Sequence, residues 1–158
     1  MKILVIQTSS YQKNKGLAHV VRNIYLNDTF KGEKLTFFLY ENSDDDMIEE
    51  LSRFGYIVLL SDDRAKRPLK YIQVLFALMK SEKFDIVHVH GNSALNCIDL
   101  LPAKMAGIKT RIMHAHAANS SHMVLHKFLR PFMNSLCTAR YACSKTAGNF
   151  LFGKKDFS

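Results

Sequence analysis

Two short apolar runs, each ending in His-x-His, constrain the fold of this chain more than any other feature: Asp85-Ile-Val-His-Val-His-Gly91 and Arg111-Ile-Met-His-Ala-His-Ala117. Ile86-Val-His-Val reads as a buried strand running into a loop, and the intervening stretch from Ser93 to Ala106 has the length and pattern of a helix. A strand, a helix and a second strand in that order form a β-α-β unit, whose strands are parallel. Both histidine pairs then emerge at the same carboxyl edge of one sheet, where open α/β folds bind ligands.

The alternation extends along the whole chain. Strands are expected at Lys2 to Gln7, Lys34 to Tyr40, Tyr56 to Leu60, Ile86 to Val89, Lys109 to His114 and Ala139 to Ala142. Between them fall helices. Gly16 to Tyr25 carries Leu17, Val20, Val21 and Ile24 as one apolar stripe, and Ser43 is the expected cap of an acidic-fronted helix over Asp44 to Ser52. Pro68 opens a helix ending near Ser81, and Ala94 to Ala106 forms one closed by Gly107, with a kink or break expected at Pro102. His122 to Leu136 places Val124, Phe128, Phe132 and Leu136 at helical spacing, with a bend at Pro131, and Ser144 caps a last helix ending at Gly153. The fold class that follows is α/β, a Rossmann-like parallel sheet with helices on both faces, forming a single domain over residues 1–158.

With 47% hydrophobic and 23% charged residues, the chain can bury a core and has no disordered tract. A formal charge of +8 favours anionic partners such as a nucleotide phosphate, a lipid head group or a membrane face. Lys13, Lys15, Arg64, Lys66, Arg67, Lys127, Arg130, Lys154 and Lys155 spread that charge without a dense basic tract, so nucleic acid is not the expected partner. Cys97, Cys137 and Cys143 form no CxxC pair and read as free buried thiols of a reducing cytoplasm. The opening run Met1 to Gln7 is too short for a signal peptide or a membrane span and reads as a first strand. The apolar and basic stretch from His122 to Met133 reads as a packing helix in preference to a membrane-surface one.

Within each pair the histidines alternate onto one strand face. His88 and His114 lie inside the apolar runs and read as hydrogen-bonded polar residues of the sheet. His90 and His116 are followed by loops of small and polar residues, Gly91-Asn92-Ser93 and Ala117 to Ser121, which admit a ligand. His-x-His on a strand can chelate zinc, but neither loop offers a carboxylate and no cysteine lies nearby in sequence, so no metal is expected. Thr8 to Gly16 leads straight into a helix, where exposed amides with Lys13 and Lys15 suit a phosphate. It carries neither GxGxxG nor GxxxxGK[ST], which excludes support for nicotinamide or ATP chemistry.

Taken in order, Met1-Lys-Ile-Leu-Val-Ile6, Phe84-Asp-Ile-Val-His-Val-His90, Ala103 through His116 and Tyr141-Ala-Cys-Ser-Lys-Thr-Ala-Gly148 resemble the amino-terminal domain of family 4 glycosyltransferases. These are retaining enzymes of GT-B architecture, and the likeness is closest to those building bacterial capsule and exopolysaccharide. The resemblance spans essentially the whole chain. It implies one of two Rossmann-like domains facing each other across a cleft, this one holding a glycan or lipid-linked acceptor and the other a nucleotide-sugar. By position, His116 matches the catalytic histidine near the donor sugar, and His90 and Asn92 match the acceptor-facing loop after the fourth strand, with His114 and Asn119 as further substrate-binding candidates. Lys15 with Gly16 matches the turn near the donor phosphates, and Ser144 the serine beside the interdomain cleft. No cofactor is implied beyond the nucleotide-sugar as co-substrate.

Two departures from the family stand out. A single Gly16 replaces its usual Gly-Gly pair, and the chain stops at Ser158, before the Pro-Asn-Gly segment and the Glu-(seven residues)-Glu motif of the donor domain. Charge that builds on a departing diphosphate must be met by preorganised donors or cations, and Lys15 alone supplies few. The chain is therefore expected to be half of a transferase, inactive alone and needing a donor-domain partner. Peripheral docking on the inner face of a membrane suits its charge. The rival readings are a non-catalytic binding subunit of a split transferase and a histidine-metal hydrolase.

Overall fold

A computed structural model describes residues 1–61 and 63–154; Lys155, one of the basic positions above, lies outside them. Six strands form one sheet: β1 (Lys2–Gln7), β2 (Lys34–Leu39), β3 (Ile57–Leu60), β4 (Ile86–His90), β5 (Thr110–Ala115) and β6 (Ala139–Ala142). Their spatial order is β3-β2-β1-β4-β5-β6 and every pairing is parallel. Ile3 to Ile6 of β1 are buried on both faces, as a central parallel strand must be.

The helices are α1 (Gly16–Tyr25), α2 (Asp45–Arg53), the short α3 (Asp63–Lys66), α4 (Pro68–Glu82), α5 (Cys97–Met105), α6 (Met123–Leu136) and α7 (Lys145–Phe152). They cover the two faces unequally. On one face α1 and α2 place Val21, Tyr25, Met47 and Leu51 against Ile3, Val5, Leu35 and Phe37. An Arg22–Glu50 fork, with bonds of 2.7 and 2.5 Å, ties these two helices together. On the other face α4 to α7 bury Leu75, Leu100, Met133 and Phe152 against Leu4, Ile6, Val87 and Met113. Above β5 and β6 the first face is open, and Tyr141 there is 51% exposed.

The punctuation of the sequence accounts for most element ends. Pro68 occupies the first turn of α4, where its missing N–H is harmless, and Ser93 and Ser144 each accept a backbone N–H at a helix start. Gly107 follows α5 at φ +84°, a conformation that glycine adopts without a Cβ clash.

Four expectations are corrected. Asp44, not Ser43, occupies the cap position of α2; the Ser43 hydroxyl instead accepts from the Tyr11 N–H and donates to the Tyr40 carbonyl, joining two loops. No break falls at Pro102, which lies inside α5 as Pro131 lies inside α6; the break near α5 comes earlier, where a 3-10 turn (Ala94–Asn96) gives way to the helix at Cys97. Only Leu136 of the expected α6 stripe meets the core; Val124 at 85% and Phe128 at 80% exposure face outward with Phe132, because His126 and Met133 form the packed side of the helix. Cys97 and Cys137 are buried as expected, but Cys143 is exposed.

Candidate functional site

Connections from β1 run outward through β2 and β3, while those from β4 run the other way through β5 and β6. The loops after β1 and β4 must part, opening the crevice that such a topology provides. A cleft of about 880 Å³ lies there. Thr8, Ser9, Lys15 and Gly16 line it from the β1 loop, Gly91, Asn92, Ser93 and Asn96 from the β4 loop, and Asn119 to His122 from the β5 loop. Lys15, Gly16, Asn92 and Asn119 thus line one cleft. Lys13 does not join them: its ammonium pairs with Asp46 and its backbone N–H donates to the Asp44 carboxylate.

The cleft floor is held tightly. Thr8 donates both its backbone N–H and its hydroxyl to the His90 carbonyl, at 3.1 and 3.0 Å. Gly91 lies directly against this crossing, where a Cβ would overlap the Thr8 hydroxyl and the Asn96 side-chain amide. Asn92 serves as a bracket, its Oδ1 accepting from the backbone N–H groups of His116 and Ala117 at 2.9 and 2.8 Å. It therefore fixes the start of the β5 loop relative to the β4 loop.

One wall is formed by a buried ion pair that sequence reasoning missed. Arg64 donates to Asp99 through Nη2 at 2.7 Å and Nε at 3.2 Å, and to the Asn96 Oδ1 at 2.8 Å; the Tyr71 hydroxyl donates to the same carboxylate at 2.6 Å. The Asp99 side chain is fully buried. Burial opposes the Arg64 charge, but attraction to Asp99 outweighs it and the guanidinium pKa rises. The available signal was a single carboxylate within the otherwise apolar helix Cys97-Ile-Asp-Leu-Leu101.

The four histidines form a separate array on the face occupied by α1. His90 and His114 are register partners, so His88, His90, His114 and His116 all project from the same side of the sheet. His90, expected to meet an acceptor, is instead 0% exposed beneath Tyr25. His88 Nδ1 lies 2.5 Å from the Tyr25 hydroxyl, that hydroxyl 3.4 Å from His90 Nε2, and His90 Nδ1 3.0 Å from His116 Nε2. The chain ends at Cys143, whose Sγ is 3.3 Å from His116 Nδ1 and 3.7 Å from His114 Nε2. Burial and mutual repulsion press the array toward neutrality: His88 is lowered to about 3, His116 to about 4, His90 far below its ordinary value, and His114 downward by burial.

His116 is half-buried at the end of this array, outside the residues lining the cleft. Ser144 is exposed and caps α7 through its hydroxyl, which accepts from the Ala147 N–H. His126, which the sequence did not single out, accepts from the Ala94 N–H through Nδ1 and bonds the Phe150 carbonyl through Nε2, joining three elements.

The order and parallel pairing of this sheet are those of one Rossmann-like unit of the GT-B type. The fold is GT-B-like. At the sequence level the chain is 27% identical over 161 residues to "Putative glycosyltransferase EpsF" of Bacillus subtilis (strain 168), covering 96% of this chain and 41% of that protein. Among solved structures it is similar to the apo lipopolysaccharide outer core galactosyltransferase WaaB, with a TM-score of 0.65 at 16% identity, over 100% of this chain and 44% of that one. UDP-GlcNAc 2-epimerase from Neisseria meningitidis, bound to UDP-GlcNAc, shares the fold at a TM-score of 0.61 and 15% identity, over 98% and 43% of the two chains. The chain thus spans about two-fifths of the length of these relatives. No protein-family model matches it.

Proposed function

We propose that this chain is the acceptor-side half of a retaining sugar transferase that moves a sugar from a nucleotide-sugar to a glycan or lipid-linked acceptor in bacterial surface polysaccharide synthesis. The cleft at the parting of β1 and β4 carries the reading, because polar loops from three strands meet there in a fold shared with WaaB, in a chain similar in sequence to EpsF. The sequence-level likeness to a glycosyltransferase favours transfer over the epimerisation performed on the same fold. Asn119 suits a sugar hydroxyl because its amide offers both a donor and an acceptor, while Asn92, whose Oδ1 is committed to the β5 loop, can offer only its Nδ2 donors. Lys15, at the start of α1, suits an anionic oxygen.

In this reading His116 stands at the catalytic edge, facing a donor-binding domain supplied by a longer chain or a partner. Its depressed pKa keeps the imidazole neutral at physiological pH, so it interacts by hydrogen bonding and not by charge. Docking of an acceptor from a membrane surface is supported by α6, where exposed Val124, Phe128 and Phe132 lie beside Lys127 and Arg130. Among the described residues, no helix is long and apolar enough to cross a membrane.

The test joins this chain to the remaining part of EpsF and measures transfer from a panel of nucleotide-sugars. Turnover is expected in the fusion and absent from the chain alone, with His116→Ala lowering the fusion's rate by about 100-fold or more. Robust turnover by the chain alone, or an unaffected His116→Ala fusion, overturns the proposal.

A further inference from the structure

The sequence offered four histidines without a companion ligand; the fold supplies one. β6 runs beside β5 so that Ala115 pairs with Ala142, and the next residue, Cys143, brings its sulfur to His114 and His116. From the geometry we infer that His114, His116 and Cys143 form a site for a thiophilic d-block cation of the zinc class. Their ligand atoms all lie within 4.8 Å of one another.

Distances support coordination. A tetrahedral ion with Zn–S of about 2.3 Å and Zn–N of about 2.0–2.1 Å separates sulfur from nitrogen by about 3.6 Å. The observed Sγ to nitrogen separations, 3.3 Å to His116 and 3.7 Å to His114, bracket that edge. A thiol carries one hydrogen and cannot donate fully to two imidazoles, whereas a metal thiolate serves both at once. The His114 ring is uncommitted at its other end, its Nδ1 being buried without a hydrogen-bond partner among the described residues. Cys143 is exposed, so the fourth position faces solvent.

The buried residues behind the trio provide its outer support. With His116 Nδ1 on the metal, its Nε2–H donates to His90 Nδ1, His90 Nε2–H donates to the Tyr25 oxygen, and the Tyr25 hydroxyl donates to His88 Nδ1. Every hydrogen bond in this series then runs in one direction and fixes the His116 tautomer, as such outer partners do at known metal centres.

This inference competes with the transferase reading for one atom, His116 Nδ1, which can serve the metal or a donor group but not both, and its test does not use sugar transfer, so the failure of either reading is seen separately. The full 158-residue chain, kept reduced, is titrated with Co²⁺ and then Zn²⁺ while its absorption spectrum is recorded. One cobalt per chain is expected, with a sulfur-to-cobalt charge-transfer band that Zn²⁺ displaces. Cys143→Ser should abolish the band, and His116→Gln should weaken binding more than about 10-fold. His122→Gln, an exposed histidine away from the trio, should change neither. Absence of the band, its persistence in Cys143→Ser, or its loss in His122→Gln overturns the assignment; circular dichroism verifies that each variant is folded.

Discussion

The cleft and the histidine array grow from the same strand ends yet handle polarity in opposite ways. At the cleft, charge is retained inside the protein: Arg64 stays protonated because Asp99, Asn96 and Tyr71 meet it with aligned hydrogen bonds. In the array no counter-charge among the described residues meets the imidazoles in their hydrogen-bonded series, and burial presses them toward neutrality. Position at a sheet edge therefore does not decide whether a polar residue is ionised; the partners delivered by neighbouring elements do.

That contrast can be broken most strongly at the ion pair. Arg64→Met leaves Asp99 buried without its cation and should lower stability by about 3–5 kcal/mol in chemical denaturation, while the titration of the histidines stays unchanged. A loss below about 1 kcal/mol would show that the pair is not what holds the cleft wall. Gly91→Ala strikes the hinge between the two regions. The added methyl must displace Thr8 or Asn96, and a loss of about 1–3 kcal/mol is expected, together with weaker binding in the cleft.

Acid should act on the array and spare the pair. In the unfolded chain histidines take up protons near pH 6.5, whereas His116 stays neutral in the fold to about 4 and His88 to about 3. Between those values the unfolded state binds more protons, so stability is complete above pH 6.5 and falls as the pH drops. The buried His88 contributes about 1 kcal/mol per pH unit in that window. Urea midpoints at pH 7 and pH 5 should therefore differ, and His88→Gln should narrow the difference; identical midpoints would contradict the neutral array.

The sheet was legible in the sequence to within about a residue at each end because parallel strands buried on both faces are nearly continuous apolar runs, as in Ile3 to Ile6. Strand parity placed each histidine pair on one face of its strand, but the sharing of that face by both pairs follows from the β4–β5 register, and the expected depth order is reversed, since His90 is fully buried and His114 only half-buried. That ranking depends on Tyr25, which reaches over His88 and His90 from α1 and leaves His114 and His116 nearer the open part of the sheet. The stripe on α6 failed for a related reason. Helical spacing identifies a common face but does not say which face meets the core, and here His126 gives the inner one a hydrogen-bonding role. Cys143 was invisible because its partners are 27 and 29 residues away and meet it only through β5–β6 register.

The two outermost strands, β3 and β6, are only four residues long. A strand of that length turns about two of its amides toward the outside, since alternate residues face opposite neighbours. It offers a poor template for an added strand, however apolar the interior of the sheet. The brevity of these rims is expected to limit strand-by-strand self-association, so thioflavin fluorescence should stay low even when salt screens the chain's positive charge.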